Sequence, residues 1–228
     1  MIYRLANLVQ KATLRLFADW EVTGLQNVPR DGPLIIVSNH VSNFDSSLLS
    51  RSLPRRLRFL AKATMFERMF LARWFLLRYG AFPLKREGVD VRAHRWVMGQ
   101  LDAGNAIANF PEGTRNSEGM ERAHSGVARL AMRTQAPVLP VGITGTERLG
   151  TFLRVLNPTG KITVNIGQPF TLPAIDGKPE KAELVSMTDM IMTRVAALLP
   201  PRYQGVYGVE GTGWRVKGVG SETLTPNP

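Results

Sequence analysis

The segment SNHVSNFDS, residues 38–46, sets His40 and Asp45 five positions apart, directly after the apolar run PLIIV. Three chemistries are open to such a pair. It could bind a metal, cap the helix that follows, or act as a base and its orienter. A firm metal site needs three or four ligands at definite spacing. The chain has no cysteine and only two other histidines, His94 and His124, and no H-E-x-x-H pattern or acid cluster surrounds His40. No resident metal or other cofactor is expected. Ser42, Asn43 and Asp45 are capping residue types, which explains a polar turn but not a histidine inside it. The third chemistry uses both side chains. Histidine takes a proton near neutral pH, and a carboxylate on one ring nitrogen fixes the tautomer and stabilises the imidazolium. No G-x-S-x-G elbow is present, so an acyl-enzyme on serine has no support. A His–Asp pair without a protein nucleophile suggests that the hydroxyl of a substrate attacks.

Two further segments end strands with functional side chains. FPEGTRN, residues 110–116, has Pro111 and Gly113 to shape a tight turn, followed by Thr114 and Arg115. Arginine at the carboxyl edge of a sheet suits a phosphate, through parallel charge-assisted hydrogen bonds. Glu112 and Arg115 could also simply pair with each other. GAFPLKR, residues 80–86, adds Lys85 and Arg86 after another strand.

The elements that must position these residues follow from hydropathy patterning. PLIIVSN, GAFPL, NAIANF, PVLPVGITG and KITVNIGQPF read as strands, and WEVTGLQNVP as a short strand and turn. NFDSSLLSRSL, GVDVRAHRWVMGQLDAG, GVARLAMRTQ and PEKAELVSMTDMIMTRVAALLP read as helices, the second ended by Gly104. The alternation predicts an α/β fold, a mostly parallel central sheet flanked by helices. Residues 1–20 read as an amphipathic helix, with Ile2, Leu5, Ala6, Val9, Ala12, Leu16, Phe17 and Trp20 on one face and Arg4, Lys11 and Arg15 opposite. It can dock on the core by one edge and lie in a membrane interface by the other, and is expected to be a membrane-associating helix. The segment 51–78 carries eight basic residues against the single acid Glu67, interleaved with aromatics and leucine. It fits a membrane surface, or else a partly buried helix whose long basic side chains reach solvent.

The 228 residues, 44% of them apolar, suit one sizeable α/β domain with appendages. The formal net charge of +11 favours an anionic partner: nucleic acid, acidic lipid or a phosphorylated substrate. No nucleic-acid motif accompanies it, so nucleic acid is not expected. No stretch reaches the length of a spanning helix, and the N-terminus lacks the h-region of a signal peptide. Absence of cysteine fits a reducing compartment. The glycine-rich residues 201–228 read as a loosely ordered tail.

NHVSNFD, GAFPLKR, FPEGTR and PVLPVGITG occur in this order at proportionate spacing. Together they resemble the four blocks of the glycerolipid acyltransferase family, of the 1-acylglycerol-3-phosphate acyltransferase type, over roughly Gly24 to Gly145. The first and third blocks match fully. Two positions depart from the family pattern: Lys85 stands where an acid often precedes the arginine, and AHSG replaces a more aromatic and basic stretch before Gly126. The resemblance implies a glycerol-3-phosphate acyltransferase-like fold, with an acyltransferase domain at 21–200. It implies that His40 is the general base and Asp45 its partner. Arg86 would contact glycerol phosphate, Glu112, Gly113, Thr114 and Arg115 would complete the acceptor site, and Pro140 would shape the last block. The implied reaction moves a fatty acyl group from acyl-CoA or acyl-ACP to the free hydroxyl of 1-acylglycerol-3-phosphate, giving phosphatidic acid. Another lysophospholipid or a lyso-aminolipid is the alternative acceptor. The enzyme would sit at the cytoplasmic face of the membrane, peripheral or monotopic, on anionic lipid.

Overall fold

The computed structural model of the chain describes residues 2–67, 70–85, 88, 90–149, 154, 156–174, 177 and 179–208. Its strands are β1 (Ala18–Thr23), β2 (Leu34–Ser38), β3 (Leu57–Lys62), β4 (Ala81–Leu84), β5 (Ala106–Asn109), β6 (Val138–Thr144) and β7 (Gly160–Ile166). The helices are α1 (Ile2–Phe17), α2 (Asp45–Ser52), α3 (Thr64–Glu67), α4 (Phe70–Tyr79), α5 (Val91–Asp102), α6 (Gly126–Thr134), α7 (Lys181–Ala196) and α8 (Pro201–Gln204).

The run LIIV in β2 shows no polar alternation because both faces of the strand are covered. Leu34 and Ile36 pack into a core with Leu14 of α1, Leu48 and Leu49 of α2 and Tyr79 of α4. Ile35 and Val37 point the other way, to Val97 and Leu101 of α5, Val127 and Leu130 of α6 and Ile191 of α7. The sheet is thus a layer between two helical layers, as the alternation of elements predicts. Among the described residues it has seven strands in the order β1-β7-β6-β2-β5-β3-β4. The five strands from β6 to β4 are mutually parallel. β7 runs antiparallel to β6, and β1 runs parallel to β7. The consequence for function lies at the centre. β2 sits between β6 and β5, so the loops leaving all three open on one edge of the sheet.

Three sequence expectations change. The N-terminal helix ends at Phe17 rather than Trp20, because Ala18–Thr23 pairs in register with Gly160–Asn165; sheet pairing overrides helical periodicity there. The basic segment 51–78 contains β3, whose Leu57 and Phe59 are buried while Arg58 and Leu60 are half-buried. The tail expected from residue 201 starts with helix α8, and Tyr203 and Tyr207 are buried against the α7 face of the sheet. The remainder of that tail, 209–228, lies outside the described residues.

Candidate active site

The chain leaves β2 at Ser38 and turns into α2 at Asp45. Asn39, next after the strand, is 2% exposed, and its side-chain amide accepts from Ile143 N (2.8 Å) and donates to Ile143 O (2.9 Å). This pair extends the β2–β6 ladder by one side chain and fixes where the loop begins. His40 follows. Its ring stacks on Phe110, with centroids 4.2 Å apart and planes at 22°. Its backbone N–H donates to Glu112 Oε1 (3.0 Å), and its carbonyl accepts from Asn116 N (2.9 Å). The loop after β5 therefore grips the histidine by ring and backbone together.

Asp45 is fully buried, while the His40 side chain is 18% exposed. An ionised carboxylate removed from water needs several donors. Asp45 Oδ2 accepts from Val41 N (2.7 Å) and Ser42 N (2.8 Å), and Oδ1 accepts from Thr146 Oγ1 (2.6 Å). The residue also opens α2, where the helix dipole favours negative charge. His40 Nδ1 lies 2.9 Å from the same Oδ2. A carboxylate only accepts, so Nδ1 carries a hydrogen and donates. The neutral ring then has its lone pair on Nε2. This arrangement can take a proton there and stabilise the resulting imidazolium through Asp45. Capping does not explain the group: the N-cap residue of α2 is Phe44, which makes no side-chain cap bond.

The other expected residues are distributed unevenly. Thr114 and Arg115 are exposed on the loop after β5, and Arg115 Nη1 donates to Asn43 Oδ1 across to the histidine loop. Gly113 has φ +69°, a left-handed conformation that favours glycine, and a Cβ there would crowd the exposed His124 ring at 3.1 Å. Glu112, expected at the acceptor site, is buried at 4% exposure beside His40, with Oε1 on His40 N and Oε2 on Glu121 N (2.8 Å). Burial pushes its pKa up, against the backbone donors from Glu121 and His40. Its carboxylate braces two loops, with each oxygen engaged by a backbone N–H. Arg86 lies outside the described residues. Its neighbour Lys85 follows β4, on the same edge of the sheet, with β5 and β3 between β4 and β2. Three strand spacings of ~4.8 Å put that loop roughly 14 Å from the histidine loop. Pro140 is buried within β6 and is not part of the exposed edge.

Sequence reasoning missed Asn39, Phe110 and Thr146. Only Asn39 and Phe110 carry a sequence signal, since each stands at the end of an apolar strand. Among the described residues no three His, Asp or Glu side chains gather to hold a metal. A cavity of about 420 Å³ opens beside β6 and β7, lined by Thr144, Gly145, Lys161, Thr163, Arg202 and Tyr203 among others, and includes none of the expected residues.

Comparison with known proteins places the chain in a family. Residues 19–144 match the family model described as Acyltransferase. The chain is 26% identical over 198 residues to the 1-acyl-sn-glycerol-3-phosphate acyltransferase of Bacillus subtilis, covering 86% of this chain and 96% of that protein. It is 30% identical over 151 residues to a chloroplastic 1-acyl-sn-glycerol-3-phosphate acyltransferase of Brassica napus, covering 64% of this chain and 43% of that one. The crystal structure of the 1-acyl-sn-glycerophosphate acyltransferase of Thermotoga maritima superposes with a TM-score of 0.67 at 27% identity, over 86% of this chain and 78% of that one.

Proposed function

The chain belongs to the acyltransferase family, and from that premise we propose that it moves a fatty acyl group from an acyl thioester to the free hydroxyl of 1-acylglycerol-3-phosphate, giving phosphatidic acid. The acceptor is taken from the names of the relatives in Bacillus subtilis and Thermotoga maritima. The observation that carries the chemistry is the Nδ1 to Asp45 hydrogen bond of 2.9 Å, which leaves Nε2 as the base on a side chain that is 18% exposed.

In this reading His40 Nε2 removes the proton of the acceptor hydroxyl as its oxygen attacks the thioester carbon. Asp45 holds the ring and faces the positive charge that forms. The tetrahedral oxyanion is met by hydrogen-bond donors of the surrounding loops. Collapse breaks the carbon–sulfur bond, and the leaving thiolate of coenzyme A or acyl carrier protein takes a proton, with His40 returning to its neutral state. In this reading Arg115, exposed and tethered to Asn43, and Arg86 bind the acceptor phosphate through charge-assisted hydrogen bonds, as expected from the family blocks.

The acceptor is a lipid, so the enzyme works at a membrane surface. α1 buries Asn7, Gln10 and Leu14 and leaves Leu5, Leu8, Leu16 and Phe17 at 59%, 63%, 74% and 49% exposure. α4 packs against α1 and exposes Phe70 and Leu71 at 81% and 69%. Arg4, Arg15, Arg73 and Arg78 are exposed on the same two helices. Exposed apolar side chains beside cations fit anionic lipid. No helix of the described residues is long and apolar enough to cross a membrane.

The test is thiol release from a long-chain acyl-coenzyme A, then from acyl carrier protein, with lysophosphatidic acid in mixed micelles and the lipid product identified by mass. We expect release that needs the acceptor, with phosphatidic acid as product. His40→Ala should lower the rate by at least about a hundredfold, the scale of a lost general base. A fully active variant would refute the mechanism, and product formed only from another lysolipid in an acceptor panel would move the acceptor.

A further inference from the structure

Thr146 lies 101 residues after Asp45 and is fully buried, yet its hydroxyl donates to Asp45 Oδ1 at 2.6 Å. Within helices, Thr134 and Thr188 turn their hydroxyls to the carbonyls of Leu130 and Leu184 one turn back. Thr146 is in no helix and turns its hydroxyl to a carboxylate. It stands in the loop just past β6, where the chain is fixed from both sides. Gly145, at φ +82°, crosses so close to Lys161 that a Cβ would sit 1.9 Å from that carbonyl oxygen. The Gly145 N–H donates to Tyr203 Oη (3.1 Å), which in turn donates to Glu147 Oε1 (2.9 Å). Asn39, beside His40, is bonded to Ile143 at the end of the same strand.

We propose that Thr146 is a positioning residue for acyl transfer: its hydroxyl sets the rotation of the Asp45 carboxylate, and through it the aim of His40 Nε2. The proposal rests on the function proposed above. Oδ2 is held by two backbone N–H groups and the imidazole. Oδ1 has Thr146, so the carboxylate is pinned at both oxygens. Without that bond the plane of the group is held from Oδ2 alone, and the aim of the Nδ1–Oδ2 bond relaxes. A misplacement of about 1 Å at a reacting group costs roughly a hundredfold in rate.

The experiment compares wild type, Thr146→Val, Thr146→Ala, Thr146→Ser and His40→Ala as purified full chains, measuring kcat, KM for both substrates and melting temperature. Thr146→Val keeps the shape and removes the donor, and is expected to lower kcat about tenfold to a hundredfold with both KM values unchanged. Thr146→Ser restores the donor and is expected to turn over within a few-fold of wild type. A merely structural threonine would give neither the kcat-only loss nor the rescue. Wild-type kcat in Thr146→Val, or a rise in KM at constant kcat, overturns the proposal. Should Thr146→Val melt near the assay temperature, Thr146→Ala decides. Activity that falls only in proportion to folded protein, in either variant, also overturns it. An inactive wild type, or an active His40→Ala, brings down the proposed function itself and this proposal with it.

Discussion

Glu112 shows how much a single side chain decides. Its two oxygens tie His40 N to Glu121 N, so one carboxylate sets the distance between the histidine loop and the loop after β5. Glutamine in its place would present an amide N–H₂ to one of two N–H donors. That leaves a buried donor unpaired, at a cost of about 1–3 kcal/mol. Glu112→Gln is therefore expected to lower the urea midpoint and to lose most activity while His40 and Asp45 remain. The pH dependence has a definite sign. Burial raises the Glu112 pKa above its ordinary 4.5, so the folded state holds this proton more tightly than the unfolded chain. The stability this contributes is complete below about 4.5 and is lost as pH rises through the raised value. Unfolding in urea from pH 4 upwards should show the wild type's margin over Glu112→Gln narrowing as pH rises. A margin that widens would mean that the ionised carboxylate is the form the fold prefers.

At the scale of elements, the basic segment divides its arginines between two tasks. Arg55, just before β3, sends Nη1 to the carbonyls of Pro29 (3.1 Å) and Asp31 (3.2 Å) and Nη2 to those of Gly32 (2.6 Å) and Gly104 (2.9 Å). It fastens the approach to β2 to the turn that ends α5. The planar guanidinium fits this set of acceptors, and an ammonium does not. Arg55→Lys is expected to cost about 1.5–3 kcal/mol, the range for hydrogen bonds from a charged group. Urea denaturation measures it. Vesicle binding should be unchanged, because the charge is kept. Arg78 and Arg73, by contrast, are exposed on α4 and remain available to a charged surface.

The whole molecule presents an uneven exterior. Its net charge is +11, and large apolar side chains of α1 and α4 stand in solvent. Burying one such side chain in lipid is worth about 1.5–3 kcal/mol. Leu16→Glu and Phe70→Glu are therefore each expected to weaken sedimentation with anionic vesicles by roughly tenfold or more. Neither residue belongs to the core, so the melting temperature should hardly move. Raised salt should weaken wild-type binding as well, since exposed charges are screened beyond about 10 Å at 0.1 M. Equal binding by variants and wild type would remove these helices from the membrane contact and leave their exposed faces to another partner.

The sequence by itself determined the alternation of strands and helices, the doubly covered β2, and the closeness of His40 to Asp45, because each is a local pattern of hydropathy or spacing. It could not show β3, where Arg58 and Lys62 break the apolar pattern while Leu57 and Phe59 go inward. It ranked α1 by its apolar stripe, whereas packing chose Asn7 and Gln10, which bond Ser50 O and Ser47 Oγ of α2. It named Glu112 by residue type, which does not reveal that both carboxylate oxygens turn to backbone N–H groups. The rest was decided by strand order. Only because β2 lies between β5 and β6 does the loop of His40 and Asp45 meet Glu112 on one side and Thr146 on the other. That neighbourhood is set by pairing between strands distant in sequence, and no local pattern encodes it.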